Sequence, residues 1–448
     1  MTVVIWGARG QRHASAMPPP EKLPARGLPL LYLGTAHVSL ALACLFAALW
    51  PRAVAGFFYQ AWLIGLVHLV TLGWISFSIL GAIYIVGPLA LRMEFPAWRA
   101  DYVAYASGLI GLVGMVGHFW IQQYAGMAWS AAMVAIGVLY VTVRIVSNIR
   151  RAKVQPAVKL HIVFACVNFW IAASLGLLIA FDKIAHFLPG YVIANVFAHA
   201  HLAALGWAAM MVLGVAYRML PMIFPSKMPA ARSMFASAVL LEIGVLGLFT
   251  TLLLRSAAAP VFGMVIVAAF LAFATRVVWM RRHRVPKPVA APRVDFGQLH
   301  AAAAAISLVA ASIAGMALLL RPLSPVMLHV AAAYGVLGLV GFLAQIVVAM
   351  ETRLLPMVAW FWAYSGSNYR VPPPSPHVMR DRSLQAIVFG AWTVGVPCLA
   401  AGVFLESAVL VAIGAWALFV GVSIGALDSA FVVARGFRAG GATSCHAA

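Results

Sequence analysis

Twelve apolar stretches, each long enough to cross a bilayer, constrain this 448-residue chain more than any motif within it. A helix needs about 20 apolar residues to span the hydrocarbon core. Stretches of that kind cover residues 30–50, 61–90, 102–121, 126–148, 159–181, 192–220, 233–254, 260–281, 299–320, 325–350, 384–405 and 408–433. Several run past 25 residues, so tilt or extension beyond the bilayer is expected. Only 9% of the residues are charged, against about one quarter in soluble domains. The predicted fold is an all-α integral membrane protein of twelve transmembrane helices.

The net charge of +20 would point to nucleic acid in a soluble chain. Here the distribution points to topology, with the lipid bilayer as partner and no nucleic acid. With the N-terminus inside, inner segments and adjoining helix ends hold 26 Lys and Arg, and the outer loops hold four: Arg52, Lys183, Arg255 and Arg321. That bias predicts a multi-pass protein of a bacterial inner (plasma) membrane with both termini cytoplasmic. Residues 1–29 contain no apolar core of a signal peptide, and 1–27 read as a cytoplasmic tail. Cys44, Cys166 and Cys398 sit in apolar runs without CxxC spacing and read as small core residues.

An internal repeat organises the spans. His68-Leu-Val-Thr-Leu-Gly-Trp74 recurs as His201-Leu-Ala-Ala-Leu-Gly-Trp207, and more loosely as His329-Val-Ala-Ala-Ala-Tyr-Gly335. Tyr84 and Pro88 recur as Tyr217 and Pro221; Arg218-Met-Leu-Pro-Met222 recurs as Arg353-Leu-Leu-Pro-Met357, seven residues later relative to its histidine. His37, His161 and His300 each begin the preceding span. The chain therefore reads as three pseudo-symmetric arcs of four helices, at 28–155, 156–295 and 296–448, with sites expected at repeat interfaces.

Imidazole is costly in hydrocarbon unless something binds it. His68, His199, His201 and His329 fall roughly 6–13 Å below the outer start of spans 2, 6 and 10. Successive helical residues turn by about 100°, so His199 and His201 diverge by roughly 200° and would serve two sites on opposite sides of span 6. That suits a helix standing between two flat macrocycles better than a compact zinc site. Gly65, Gly73, Gly206 and Gly335 flank the histidines; packing is the favoured reading for them. Arg52, Lys183 and Arg321, in equivalent outer loops, would pair with haem propionates; ordinary interfacial charge accounts for them equally well.

Ala198-His-Ala-His-Leu-Ala-Ala-Leu-Gly-Trp207, with Tyr217 and Pro221, resembles the haem-ligating helix of catalytic subunits of the haem-copper oxidase superfamily, especially nitric oxide reductases. That superfamily has twelve helices in three arcs of four, with ligands on the second helix of each arc. The NnrS family, haem- and copper-containing membrane proteins linked to nitric oxide tolerance, is similar in design. The resemblance implies a haem-binding protein of electron transfer, or of nitric oxide handling or sensing. It implies one or two haem b, with copper as an alternative occupant of the remaining histidines, and a cytochrome or quinol as electron donor. His201 and His199 would each take a haem, with His68 and His329 as opposite axial ligands. The chain departs from the family in carrying the histidine doublet on span 6, no His-His pair, and no histidine on span 7. The copper centre and oxygen or nitric oxide reduction are therefore not carried over.

A different class remains open: a transporter of protons or a transition metal, with histidines at the repeat interfaces. The inner histidines His37, His161 and His300 are expected to be solvated or hydrogen-bonded at the interface. Glu242 and Asp428 are intramembrane acids for which pairing with Arg or Tyr is at least as good a reading as proton transfer. The segment 351–383, rich in Trp, Tyr and Pro, is expected as a loop anchored at the membrane interface.

Overall fold

The computed structural model describes residues 23–286, 294–365, 375–376 and 379–445. Among the described residues twelve helices are long and apolar enough to cross a membrane. They are numbered here in chain order: α1 Gly27–Leu49, α2 Ala61–Leu89, α3 Arg99–Trp120, α4 Tyr124–Ile149, α5 Pro156–Ala185, α6 Val192–Pro221, α7 Ala231–Leu253, α8 Ala259–Arg282, α9 Phe296–Leu320, α10 Pro325–Tyr364, α11 Arg382–Phe404 and α12 Ala408–Arg438. Each begins and ends within a few residues of the apolar stretch that predicts it, except that α10 runs on to Tyr364. Helices dominate because every backbone N–H and C=O in hydrocarbon must find a partner inside its own segment. The hairpins α3–α4, α7–α8 and α11–α12 pack closely, and α12 closes back onto α1.

One feature recurs in three of the helices. The α-helical turns of α2, α6 and α10 give way to π-helix over Leu69–Ser76, Leu202–Ala209 and Val336–Ala344. The first segment begins immediately after His68 and the second immediately after His201. All three π-helical segments touch one another, so α2, α6 and α10 meet at the centre of the bundle. Two tryptophans fasten them: Trp74 Nε1 donates to the carbonyl of Ala344 at 3.1 Å, and Trp207 Nε1 to Ser76 Oγ at 3.0 Å. Long π-helix is rare and tends to mark functional positions.

Glycine sets how closely these helices approach their neighbours. A Cβ on Gly73 would lie 2.4 Å from Ser39 Cβ of α1, and one on Gly206 would lie 2.9 Å from Asn168 Cβ of α5. A Cβ on Gly65 would meet Trp120 Nε1 at 2.6 Å. Packing accounts for these three. Gly335 has nothing within 4 Å of its Cβ position.

The π-helices also reset the register of the third copy. Leu69, Leu202 and Val336 open the three segments, so the position matching His68 and His201 is Gly335. His329 lies six residues outward. Arg218 and Arg353, and Pro221 and Pro356, fall into nearly the same offset, which removes most of the seven-residue discrepancy with no insertion in the helix.

The expected loop at 351–383 is corrected in its first part. α10 continues to Tyr364 through an internal Pro356, and Trp360 and Trp362 are buried at 1% and 3% exposure. Trp362 does not face the membrane interface. Its Nε1 donates to the carbonyl of Pro24, its own carbonyl accepts from Arg26, and its ring stacks on Phe437. Residues 366–374, with Pro372-Pro-Pro374, lie outside the described residues. Tyr84 and Tyr217 are core residues at 1% and 0% exposure, and Cys44 and Cys166 are buried as expected.

Candidate functional site

Burial changes abruptly along the three central helices. In the first part of α2, Ala61–His68, only Gly65 and Leu66 are buried. In the first part of α6, Val192–His201, only Asn195 and Ala198 are buried, and in Pro325–Gly335 of α10 no residue is. Just inside, the runs Gly73–Ser76, Gly206–Ala209 and Gly341–Ala344 are buried throughout. Helices at the centre of a bundle are ordinarily filled along their length, as interiors reach crystal-like density. The half of the bundle that holds these histidines is less completely buried.

Three of the four histidines share one hydrogen-bonding pattern. His68 Nδ1 donates to the carbonyl of Ile64 at 2.8 Å, His201 Nδ1 to Phe197 at 2.8 Å, and His199 Nδ1 to Ala172 of α5 at 2.9 Å. A carbonyl oxygen can only accept, so each Nδ1 carries a proton, and each ring in its neutral form presents a lone pair at Nε2. Among the described residues no hydrogen-bond partner is found for these three Nε2 atoms. A ring held through Nδ1, with Nε2 unengaged, is the arrangement that orients a histidine ligand toward a metal.

The side chains point in different directions. The ring of His199 is turned toward α5. That of His201 stacks on Tyr334 of α10, with centroids 5.8 Å apart and planes at 19°. His68 stacks on Phe119 of α3 at 5.5 Å and lies within electrostatic range of His199. The structure thus turns His68 toward α3, His199 toward α5 and His201 toward α10. His329 stands apart from these: its Nε2 lies 3.0 Å from Glu406, at the outer ends of α11 and α12, with the imidazole 35% and the carboxylate 60% exposed.

A cation lies beside the start of α2. The Lys183 ammonium lies over the rings of Tyr59 and Tyr124, at 5.7 and 5.2 Å. The Tyr59 hydroxyl is buried with no partner among the described residues, and burial raises its pKa, so it remains a donor at neutral pH. A buried donor without an acceptor is costly. A carboxylate placed there would satisfy it and meet Lys183 as well. Arg52 and Arg321 are exposed, at the short helix Pro51–Ala55 and just after α9. Tyr59 and Tyr334 carried no sequence signal beyond aromatic character.

The inner histidines are not solvated. His161 is fully buried, with Nδ1 on the carbonyl of Ala157 and Nε2 3.2 Å from Ser237, which also meets Tyr217. His300 is buried beside Gln345. His37 Nδ1 donates to Leu33, and its Nε2 lies 3.3 Å from Glu351. His161 and His37 each engage both ring nitrogens within the protein. The two intramembrane acids have partners too: Glu242 accepts from Asn168 at 2.8 Å, and Asp428 pairs with Arg380 at 2.6 Å. His118 contacts Ser130, and His186 caps α5 in the left-handed conformation. Among the described residues no group of three or more His, Cys, Asp or Glu is placed to hold a metal ion.

No protein-family model matches the sequence, and neither does any curated protein. Solved structures do match. A chain of a heme-copper terminal oxidase dimer, determined by cryo-EM, superposes with a TM-score of 0.64 at 11% sequence identity. The match covers 91% of this chain and 84% of that one. The two share a fold over nearly their whole length.

Proposed function

We propose that this chain is a haem-binding redox protein of the membrane, related to the catalytic subunits of haem-copper oxidases, and that it works in electron transfer or in handling nitric oxide. The observation that carries this reading is the unengaged Nε2 on each of His68, His199 and His201, in the less completely buried half of an oxidase-like bundle. The donor set fits haem b: neutral imidazoles oriented through Nδ1, open space beside Gly335, and Lys183 with the Tyr59 hydroxyl at the rim for a propionate. No CxxCH motif is present for covalent attachment.

His68 and His199 would hold one haem between α2 and α6, with Lys183 above it. His201 would hold a second beside Tyr334, with α10 on its other side. His329 would supply that helix's ligand after giving up Glu406, and an exposed contact of that kind contributes little, about 0–1 kcal/mol. Arg52 and Arg321 would answer carboxylates at the outer surface. When bound, a bis-imidazole haem supplies a low-spin one-electron centre. The protein's own contribution is orientation: the carbonyls of Ile64, Ala172 and Phe197 fix the rings, and the buried floor from Gly73 to Ser76 and its counterparts keeps water from the inner side.

The reading places the chain in a bacterial plasma membrane with both termini cytoplasmic. It divides the chain into three four-helix units around the π-helical centre, and gives it a cytochrome or quinol as donor. The histidine variants test the ligand assignment. His68→Ala and His199→Ala should each remove the same haem, and His201→Ala should remove a different one or perturb the same spectrum differently. Three variants with wild-type haem content and spectra would refute it.

A further inference from the structure

At the inner end of the bundle, marked by the clusters of Lys and Arg, a small cavity separates α1, α2 and α9–α12. Its walls include His37, Trp74, His300, Glu351, Arg380 and Asp428, and it has room for a few water molecules. Glu351 is buried at 6% exposure. Its Oε1 has no hydrogen-bond partner among the described residues, and its Oε2 faces His37 Nε2 at 3.3 Å.

The protons in this cluster can be counted. His37 Nδ1 donates to a carbonyl, so His37 Nε2 is a lone pair unless the ring is cationic. A bare lone pair does not face a bare carboxylate oxygen at this distance; one proton lies between them, on nitrogen or on oxygen. Among the described residues Arg380 is the guanidinium that lines the cavity, and its hydrogen bonds go to groups other than the Glu351 carboxylate. Arg380 gives one nitrogen to Asp428 at 2.6 Å, and another to the backbone carbonyl of Glu351 at 3.1 Å and Ser429 Oγ at 3.3 Å. His300 accepts at Nδ1 from the Gln345 amide, 3.4 Å away, and is neutral. α2 contributes only Trp74 to the lining, and α11 only uncharged side chains. In such surroundings the neutral acid–imidazole form avoids the desolvation of two separated charges.

We propose that Glu351 and His37 form a buried proton-binding site, with the proton held on Glu351 Oε2 and donated to His37 Nε2. The site exchanges that proton with water in the cavity. The step is proton transfer alone: the Glu351 O–H bond breaks as an N–H bond to His37 or an O–H bond to water forms, and no electrons move. It is independent of the haem reading, since neither His37 nor Glu351 is among His68, His199, His201 and His329.

Infrared spectroscopy of the purified full-length protein, in H2O and D2O at neutral pH, tests this. A carboxylic C=O band is expected that moves to lower frequency in D2O and shifts on labelling with [13C]glutamate. It should vanish in Glu351→Gln, whose amide can still donate to His37 Nε2 and so preserves the contact. It should persist in Glu242→Gln and Asp428→Asn. In His37→Gln it should persist, with its titration midpoint displaced by about one pH unit or more. A wild type without a glutamate-labelled band, a band that survives in Glu351→Gln, or a His37→Gln midpoint equal to wild type would each overturn the proposal.

Discussion

Gly176→Ala separates the stability of the fold from the geometry of the proposed site. Gly176 lies on α5 against the ring of His199. A Cβ there would stand 2.7 Å from Cε1, 3.1 Å from Nδ1 and 3.5 Å from Nε2. Ordinary carbon contacts begin near 3.4 Å, so the ring must retreat by about 0.7 Å. That retreat stretches or breaks the 2.9 Å bond from Nδ1 to Ala172, at a cost of about 0.5–1.5 kcal/mol. Replacing glycine by alanine inside a helix returns about 0.8–1 kcal/mol. The two effects nearly cancel, and the thermal midpoint should move little. The ligand does not share that cancellation: a coordinating ring must be held within about 0.5 Å of its productive position. Haem content by pyridine haemochrome assay should fall well below wild type, or the low-spin spectrum should change, in a protein that still folds. A Gly176→Ala protein with unchanged midpoint, haem content and spectrum would refute the placement of His199 as a ligand.

Three further outcomes follow from the same physical account. Reporter fusions should place the loops around Arg52, Lys183, Arg255 and Arg321 on the outer side and both termini inside; a periplasmic C-terminus would overturn the depths assigned to the histidines. Asp101→Ala removes the carboxylate that pairs with buried Arg144 and accepts from Tyr84 at 2.9 Å, and should cost about 3–5 kcal/mol of unfolding free energy, whereas the double replacement Asp101→Leu, Arg144→Met should recover much of it. Purified protein given quinol or reduced cytochrome c should consume oxygen no faster than the donor alone, because α7 carries no histidine and the rings of His199 and His201 face different neighbours; robust cyanide-sensitive turnover would show that the ligands are misassigned.

The spans were legible because hydrocarbon thickness imposes a length that apolar runs reveal directly. The directions of the histidine rings were legible in part. A rotation of 100° per residue is enough to separate His199 from His201, which turn to α5 and to α10. The place of His329 was not legible, because residue counting from a histidine cannot see where a helix changes pitch. The π-helical segment makes Gly335 the counterpart of His68 and His201, and leaves His329 beside Glu406 at the outer rim. Glu351 was hidden for a related reason. A charged residue followed by Thr, Arg and later prolines looks like the start of a loop, yet α10 runs on for thirteen residues beyond it. Arg380 and Asp428 come from separate segments and meet only in three dimensions. Tyr59 and Lys183 likewise become a pair only when the outer ends of α2, α4 and α5 come together.

The most direct test of the central claim is an optical spectrum of the purified wild-type protein, oxidised and then reduced with dithionite. The account predicts a Soret band and, on reduction, the sharp α and β bands of low-spin haem b, with at least one haem per chain. A colourless protein that takes up no haem on reconstitution would contradict it.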